Sequence, residues 1–222
     1  MLQRPVFYGV LCLTTSLVAT GAVTARMDER GVVRFGGALE GVEALLTMHG
    51  PEWASASIQS SGVRSSHQAE DRVTGTVPLP SSCRGNMEYT VQSSAVEDAV
   101  EISYSSGFSE TTVIRGAYAS FMLPAVAFVG KTISVWPAGA TATFPKGNAN
   151  PAIGSKGRAV AIDLGDGTSL LISSTSTGPI MCQNHRQFNR DVYELRFTIW
   201  QNGDVVPKMS MDKALRVAVV GN

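Results

Sequence analysis

Signatures of metal, cofactor and nucleophilic chemistry are missing from this 222-residue sequence. There is no CxxC pair, no His/Cys cluster at zinc spacing, no H-E-x-x-H and no G-x-S-x-G. No metal and no cofactor is therefore expected. Charge is sparse: Asp, Glu, Lys and Arg make up 16% of the chain, against about 25% in a typical domain. With 18 basic and 18 acidic residues and no basic run, the chain lacks the electrostatic footprint of a nucleic-acid or membrane-surface binder. Ser and Thr stand where charge is thin, as on the exposed faces of extracellular sheets.

Long apolar runs are absent too. Val6 to Val18 is interrupted by Gly9 and small polar residues, and it is shorter than the about 20 residues a membrane span needs. With Arg4 before it and Val23-Thr24-Ala25 after it, it has the three parts of a secretory signal peptide. The sequence predicts a leader over residues 1–25, a mature start at Arg26 and a secreted or periplasmic location. Cysteine is rare: Cys12 leaves with the leader, and Cys83 and Cys182 remain. In an oxidising compartment they form an even pair, so a Cys83–Cys182 disulfide and two separate buried thiols are both open.

What is abundant is period two. Met87, Tyr89 and Val91 alternate with Glu88, Thr90 and Gln92, and Val100, Ile102 and Tyr104 alternate with Glu101 and Ser103. Tyr193, Leu195, Phe197 and Ile199 alternate with Glu194, Arg196 and Thr198. Each reads as a half-buried antiparallel strand with one face on a core and one in water. Val113 to Phe121 and Ala159 to Leu164 are apolar on both sides, as central strands are. Asp166-Gly167, between two such runs, predicts a tight hairpin rather than a calcium loop, because too few acids surround it. Gln201-Asn202-Gly203-Asp204 predicts a second turn of that kind. Gly37 to Met48 fits both a helical and a strand face, and its glycines favour strand. Ser55 to Asp71 and Pro137 to Gly157 read as loops. Counting the runs gives ten to thirteen strands, a two-sheet antiparallel β-sandwich with little helix, in one domain over residues 26–222.

Candidate binding residues are aromatic and polar. Sugars present flat C–H faces that stack on Trp, with side-chain amides and charged groups taking their hydroxyls. Trp53 follows Gly50-Pro51-Glu52, Trp136 precedes Pro137, and Trp200 stands opposite the Tyr193–Ile199 core face, where it would be an exposed platform. His185 and Arg186 lie in a run dense in hydrogen-bonding side chains, Gln183 to Asp191. His49 sits in a turn context. Glu88, Glu97, Asp98, Glu101 and Glu110 are candidates for glycoside hydrolysis by type only, since most stand at outward strand positions or in turns and a two-carboxylate site would have to be assembled from separate strands.

The order of Arg72 to Pro80, the alternating strands after it, Phe121-Met122-Leu123-Pro124 through Lys131 to Val135, the Asp-Gly hairpin, Gln183 to Arg190 and Tyr193 to Trp200 resembles one family. It is similar to the N-terminal β-sandwich accessory domain of large secreted bacterial glycoside-hydrolase-like proteins, over roughly residues 30–220. The resemblance implies a non-catalytic module beside a catalytic barrel and supplies no catalytic residues. Asn184-His185-Arg186 departs from it where an acid is expected. No barrel follows residue 222 in this sequence, so a piece of a longer product and a stand-alone sandwich both stay open. The reading is an exported, carbohydrate-interacting sandwich of a polysaccharide-degradation system, with polysaccharide or a catalytic domain as partner. The alternatives are a structural domain packed on a barrel, and a stand-alone secreted hydrolase.

Overall fold

The computed structural model describes residues 19–21, 23–207 and 209–221. The expected leader lies mostly outside these residues. Among them are sixteen strands, more than the turn signals indicate: β1 (Ala19–Gly21), β2 (Ala25–Met27), β3 (Val33–Phe35), β4 (Glu43–His49), β5 (Ser55–Ser57), β6 (Arg64–Ala69), β7 (Arg72–Pro78), β8 (Asn86–Val96), β9 (Ala99–Phe108), β10 (Thr112–Pro124), β11 (Thr132–Trp136), β12 (Ala140–Thr143), β13 (Ser155–Gly165), β14 (Thr168–Asn184), β15 (Val192–Val205) and β16 (Met211–Gly221). Helix is confined to α1 (Ala125–Phe128) and three short 3-10 turns at Gly37–Leu39, Pro51–Trp53 and His185–Phe188.

The strands form one continuous antiparallel sheet whose main path runs β2-β3-β4-β10-β15-β14-β16-β9-β8-β7-β6. The long β14 links its two halves. Residues 180–184 pair with β15, and residues 168–174 pair with β16. The sheet curls there into a sandwich, and its two halves meet. The Tyr89 hydroxyl of β8 donates to the Arg30 carbonyl just before β3, at 2.9 Å. Val73, Val91, Ile102 and Leu215 from one half share a buried core with Phe35, Leu46, Phe121 and Phe197 from the other. Phe121 and Phe197 meet edge to face at 6.0 Å.

The period-two strands form as their alternation predicts, and β10 is central, paired on both edges with β4 and β15. The Asp166-Gly167 turn joins β13 to β14, with φ of 54° and 71° at its two central residues. Both angles lie in the left-handed region that a type I′ hairpin requires. Gly167→Ala is expected to destabilise the fold by about 1–2 kcal/mol, the cost of a left-handed side-chain residue, measured by urea denaturation.

Three expectations are corrected. Gln201 to Asp204 is not a hairpin: β15 runs through it in register with β10, Gly203 opposite Ile114, and Asn202 alone is left-handed. Ser55 to Asp71 is not wholly loop, because β5 and the edge strand β6 lie in it. Gly37 to Met48 divides between a 3-10 turn and β4.

Candidate functional site

Three adjacent strands, β4, β10 and β15, place polar side chains on one face. Residues opposite one another in register project to the same side. One row is Thr47, Tyr118 and Thr198. The next is Leu45, Ser120 and Arg196, and the third is Glu43, Met122 and Glu194. His49, the last residue of β4, stands opposite Gly116. The alternation of β15 predicts that Glu194, Arg196 and Thr198 face water. They are instead buried, at 1%, 4% and 8% exposure. Period two identifies two faces of a strand but does not say what lies against the second.

Glu194 is the centre of this face. One carboxylate oxygen accepts from Ser120 Oγ at 2.7 Å and lies 3.3 Å from Thr47 Oγ1. Ser120 spends its proton on Glu194, so Thr47 is the donor in the 2.7 Å contact between the two hydroxyls. The other oxygen accepts from Arg196 Nη2 at 2.6 Å and from His185 Nε2 at 2.7 Å. Burial alone would raise this carboxyl. The hydrogen bonds from His185 and Arg196, the Arg196 charge and Ser120 outweigh it and hold the group well below the usual carboxylate range. Glu194 is thus an ionised, fully engaged anchor that orients Arg196 and fixes the proton of His185 on Nε2.

Around this anchor lie polar groups with no side-chain partner. The Tyr118 hydroxyl, Arg196 Nε and the Thr198 hydroxyl are buried and unbonded, and the ring nitrogens of His49 are buried with no side-chain partner, the Trp53 backbone alone interacting with them. Each such group costs roughly 1–3 kcal/mol if it stays unpaired, and in native folds such groups are met by ordered water, a ligand or a functional role. Among the described residues, four of the six that carry such groups lie on this patch; Tyr104 on β9 and Trp200, packed against the core, do not. The Tyr118 ring folds back over Gly116, where a Cβ would meet its hydroxyl at 2.1 Å. That leaves the ring edge-on to His49 at 5.7 Å and under the Arg196 guanidinium at 5.3 Å. Burial, then the Arg196 charge, lower the His49 pKa, so its ring is held neutral.

The rim is strained and aromatic. Glu52 and Trp53 are consecutive left-handed residues, at φ of 58° and 63°, a conformation that costs side-chain residues about 1–2 kcal/mol each and collects at functional sites. It leaves Trp53 60% exposed while its ring touches His49 edge-on at 5.9 Å.

Of the residues singled out from sequence, Trp53 and His185 therefore lie at this patch. Trp200 is half-buried against the core rather than an exposed platform. Trp136 is exposed on a different part of the sheet, at the end of β11. Arg186 is committed to structure. It donates to the carbonyls of Pro145, Lys146 and Gly147, stacks on Tyr193 at 5.0 Å and so pins the loop before β13. The disulfide is not formed: Cys83 and Cys182 are free. Cys83 Sγ lies 3.5 Å from the Val113 carbonyl, whereas Cys182 is buried on β14 opposite Leu195. Burial and the nearby Glu194 charge push the Cys182 thiol up, which makes it unreactive. Sequence reasoning missed His49, Thr47, Tyr118, Ser120, Glu194 and Arg196. The Glu-x-Arg-x-Thr run on an otherwise apolar strand was the one signal for them.

No protein-family model matches the chain, and no curated protein matches it. Solved structures do. One is an Escherichia coli K12 protein provisionally described as an aldose 1-epimerase, at 11% identity and a TM-score of 0.55, covering 93% of this chain and 98% of that one. A galactose mutarotase related enzyme from Lactobacillus acidophilus aligns at 8% identity and a TM-score of 0.55, covering 91% and 96%. A galactose mutarotase-like protein from Lactobacillus casei aligns at 8% identity and a TM-score of 0.52, covering 91% and 99%. At these identities the likeness is one of fold: the chain shares the curled antiparallel sandwich of these proteins.

Proposed function

We propose that this chain is an exported carbohydrate-interacting protein that seats a sugar ring on the β4–β10–β15 face, beneath Trp53. One observation carries the reading. Buried donors and acceptors without side-chain partners concentrate at His49, Tyr118, Arg196 and Thr198, closed over in this structure, so that a ligand reaches them once the Trp53 rim against His49 yields. A hydroxyl both donates and accepts, so a polyol is the ligand class that satisfies such a mixed set. Trp53, at the rim, offers the flat apolar surface that a pyranose ring face requires. The sugar-related descriptions of proteins sharing the fold support the same class. Glu194 is saturated by its donors, which suits an orienting role and favours binding without catalysis. His49 favours a second reading, proton transfer on an aldose, because a neutral imidazole with no side-chain partner is a competent proton acceptor.

The test is calorimetric titration with D-galactose, D-glucose, D-mannose and D-xylose, paired with polarimetry of freshly dissolved α-D-glucose and α-D-galactose. Saturable binding that His49→Ala weakens at least about tenfold, a loss of about 1.4 kcal/mol, supports the site. Accelerated mutarotation abolished by His49→Ala selects the second reading. Absence of binding to all four sugars rejects both.

A further inference from the structure

On the other half of the sheet lies an open polar surface that the ring site does not use. One register row crosses six strands: Ser94 of β8, Glu101 of β9, Arg216 of β16, Ser173 of β14, Ala159 of β13 and Trp136 of β11. Five inter-strand steps of about 4.8 Å make the row roughly 24 Å long. A groove of about 620 Å³ follows it and includes Ser103. A smaller hollow lined by Ser103, Ser105 and Thr90 joins that groove to a second one of about 680 Å³ over β6 to β9. Trp136 is 67% exposed and pairs with Ala159, which lines the groove, so it is the next residue of the row beyond the groove lining.

We propose that this surface binds an extended neutral oligosaccharide, with Trp136 as the stacking platform at one end. Charge argues for a neutral ligand. Two cations line the groove, Arg158 and Arg216, and the acids Glu101 and Glu97 offset them, meeting Arg216 at 3.6 Å and 3.3 Å. A ligand therefore meets a surface of balanced charge with hydroxyls on Ser94, Ser103 and Ser173, which pair with ring hydroxyls, and with the exposed Arg158 among them. Length argues for a chain, because a 24 Å row exceeds one ring several times over. A protein partner is disfavoured, since apart from Trp136 the row presents no large apolar side chain to bury.

Affinity electrophoresis and fluorescence titration with cellohexaose, xylohexaose and mannohexaose test the proposal at two salt concentrations. The expected result is salt-independent binding of at least one hexasaccharide. Trp136→Ala and, independently, Ser103→Arg at an exposed strand position should each weaken it tenfold or more. Neither substitution should alter monosaccharide titration, and His49→Ala should leave hexasaccharide binding unchanged. No hexasaccharide binding by the wild-type chain, binding lost with salt, or binding indifferent to both groove substitutions overturns it. Loss with His49→Ala assigns the hexasaccharide to the ring site and overturns it as well.

Discussion

Glu194→Ala should lower the stability of this protein by about 3–5 kcal/mol, because breaking a buried ion pair from one side strands the other charge. That charge is Arg196, only 4% exposed. The same change frees Ser120 and His185 from their common acceptor. For a domain of this size it corresponds to a fall in melting temperature of roughly 6–20 °C, read by circular dichroism or calorimetry. Acid should reveal the same anchor. The folded carboxyl titrates below its unfolded value of 4.5. Its contribution is therefore complete above that value and drains away as pH falls through it toward the folded pKa. Wild-type stability should drop steeply below about pH 5, and Glu194→Gln should flatten that limb while being less stable at pH 7. His49 acts in the same sense at higher pH. Its folded pKa is lowered, so protonation of the unfolded chain erodes stability as pH falls through about 6.5.

Gly116→Ala should damage the ring site most among conservative changes. The added Cβ would lie 2.1 Å from the Tyr118 hydroxyl and 2.3 Å from its Cζ. Tyr118 is fully buried, so its ring has no open space to swing into. Overpacking of this kind costs typically 1–3 kcal/mol. A displaced ring also loses its contacts with His49 and Arg196. Monosaccharide affinity should fall by tenfold or more, while hexasaccharide binding at the outer face should persist. Unchanged monosaccharide affinity in a folded Gly116→Ala protein would show that Tyr118 is not part of the site.

The strands were legible because alternation is a local property, and Tyr193, Leu195 and Phe197 do point into the core. The companions on the same strand were misjudged, since only the tertiary fold sets Glu194 against Thr47, 147 positions away. Dipeptides had the same limit. Asp166-Gly167 makes its hairpin because both residues turn left-handed, whereas Asn202-Gly203 stays in a strand that β10 continues to pair. Among the tryptophans, position on an alternating strand pointed to Trp200 as the platform. Packing against the core took that role from it and left Trp53 and Trp136 exposed. His185 stood out within its polar run, yet its partner Glu194 lies across the turn and is fixed only by the fold. The Cys83–Cys182 pairing failed for want of geometry, which cysteine spacing does not contain.

The central claim is that the unbonded groups on the β4–β10–β15 face await sugar hydroxyls, and Tyr118→Phe tests it most directly. The substitution removes a buried hydroxyl that has no partner in the protein. The account predicts a melting temperature that is unchanged or higher, together with monosaccharide affinity reduced about tenfold, near 1.4 kcal/mol. A lower melting temperature with undiminished sugar affinity would mean that the hydroxyl serves the fold, and would contradict the account.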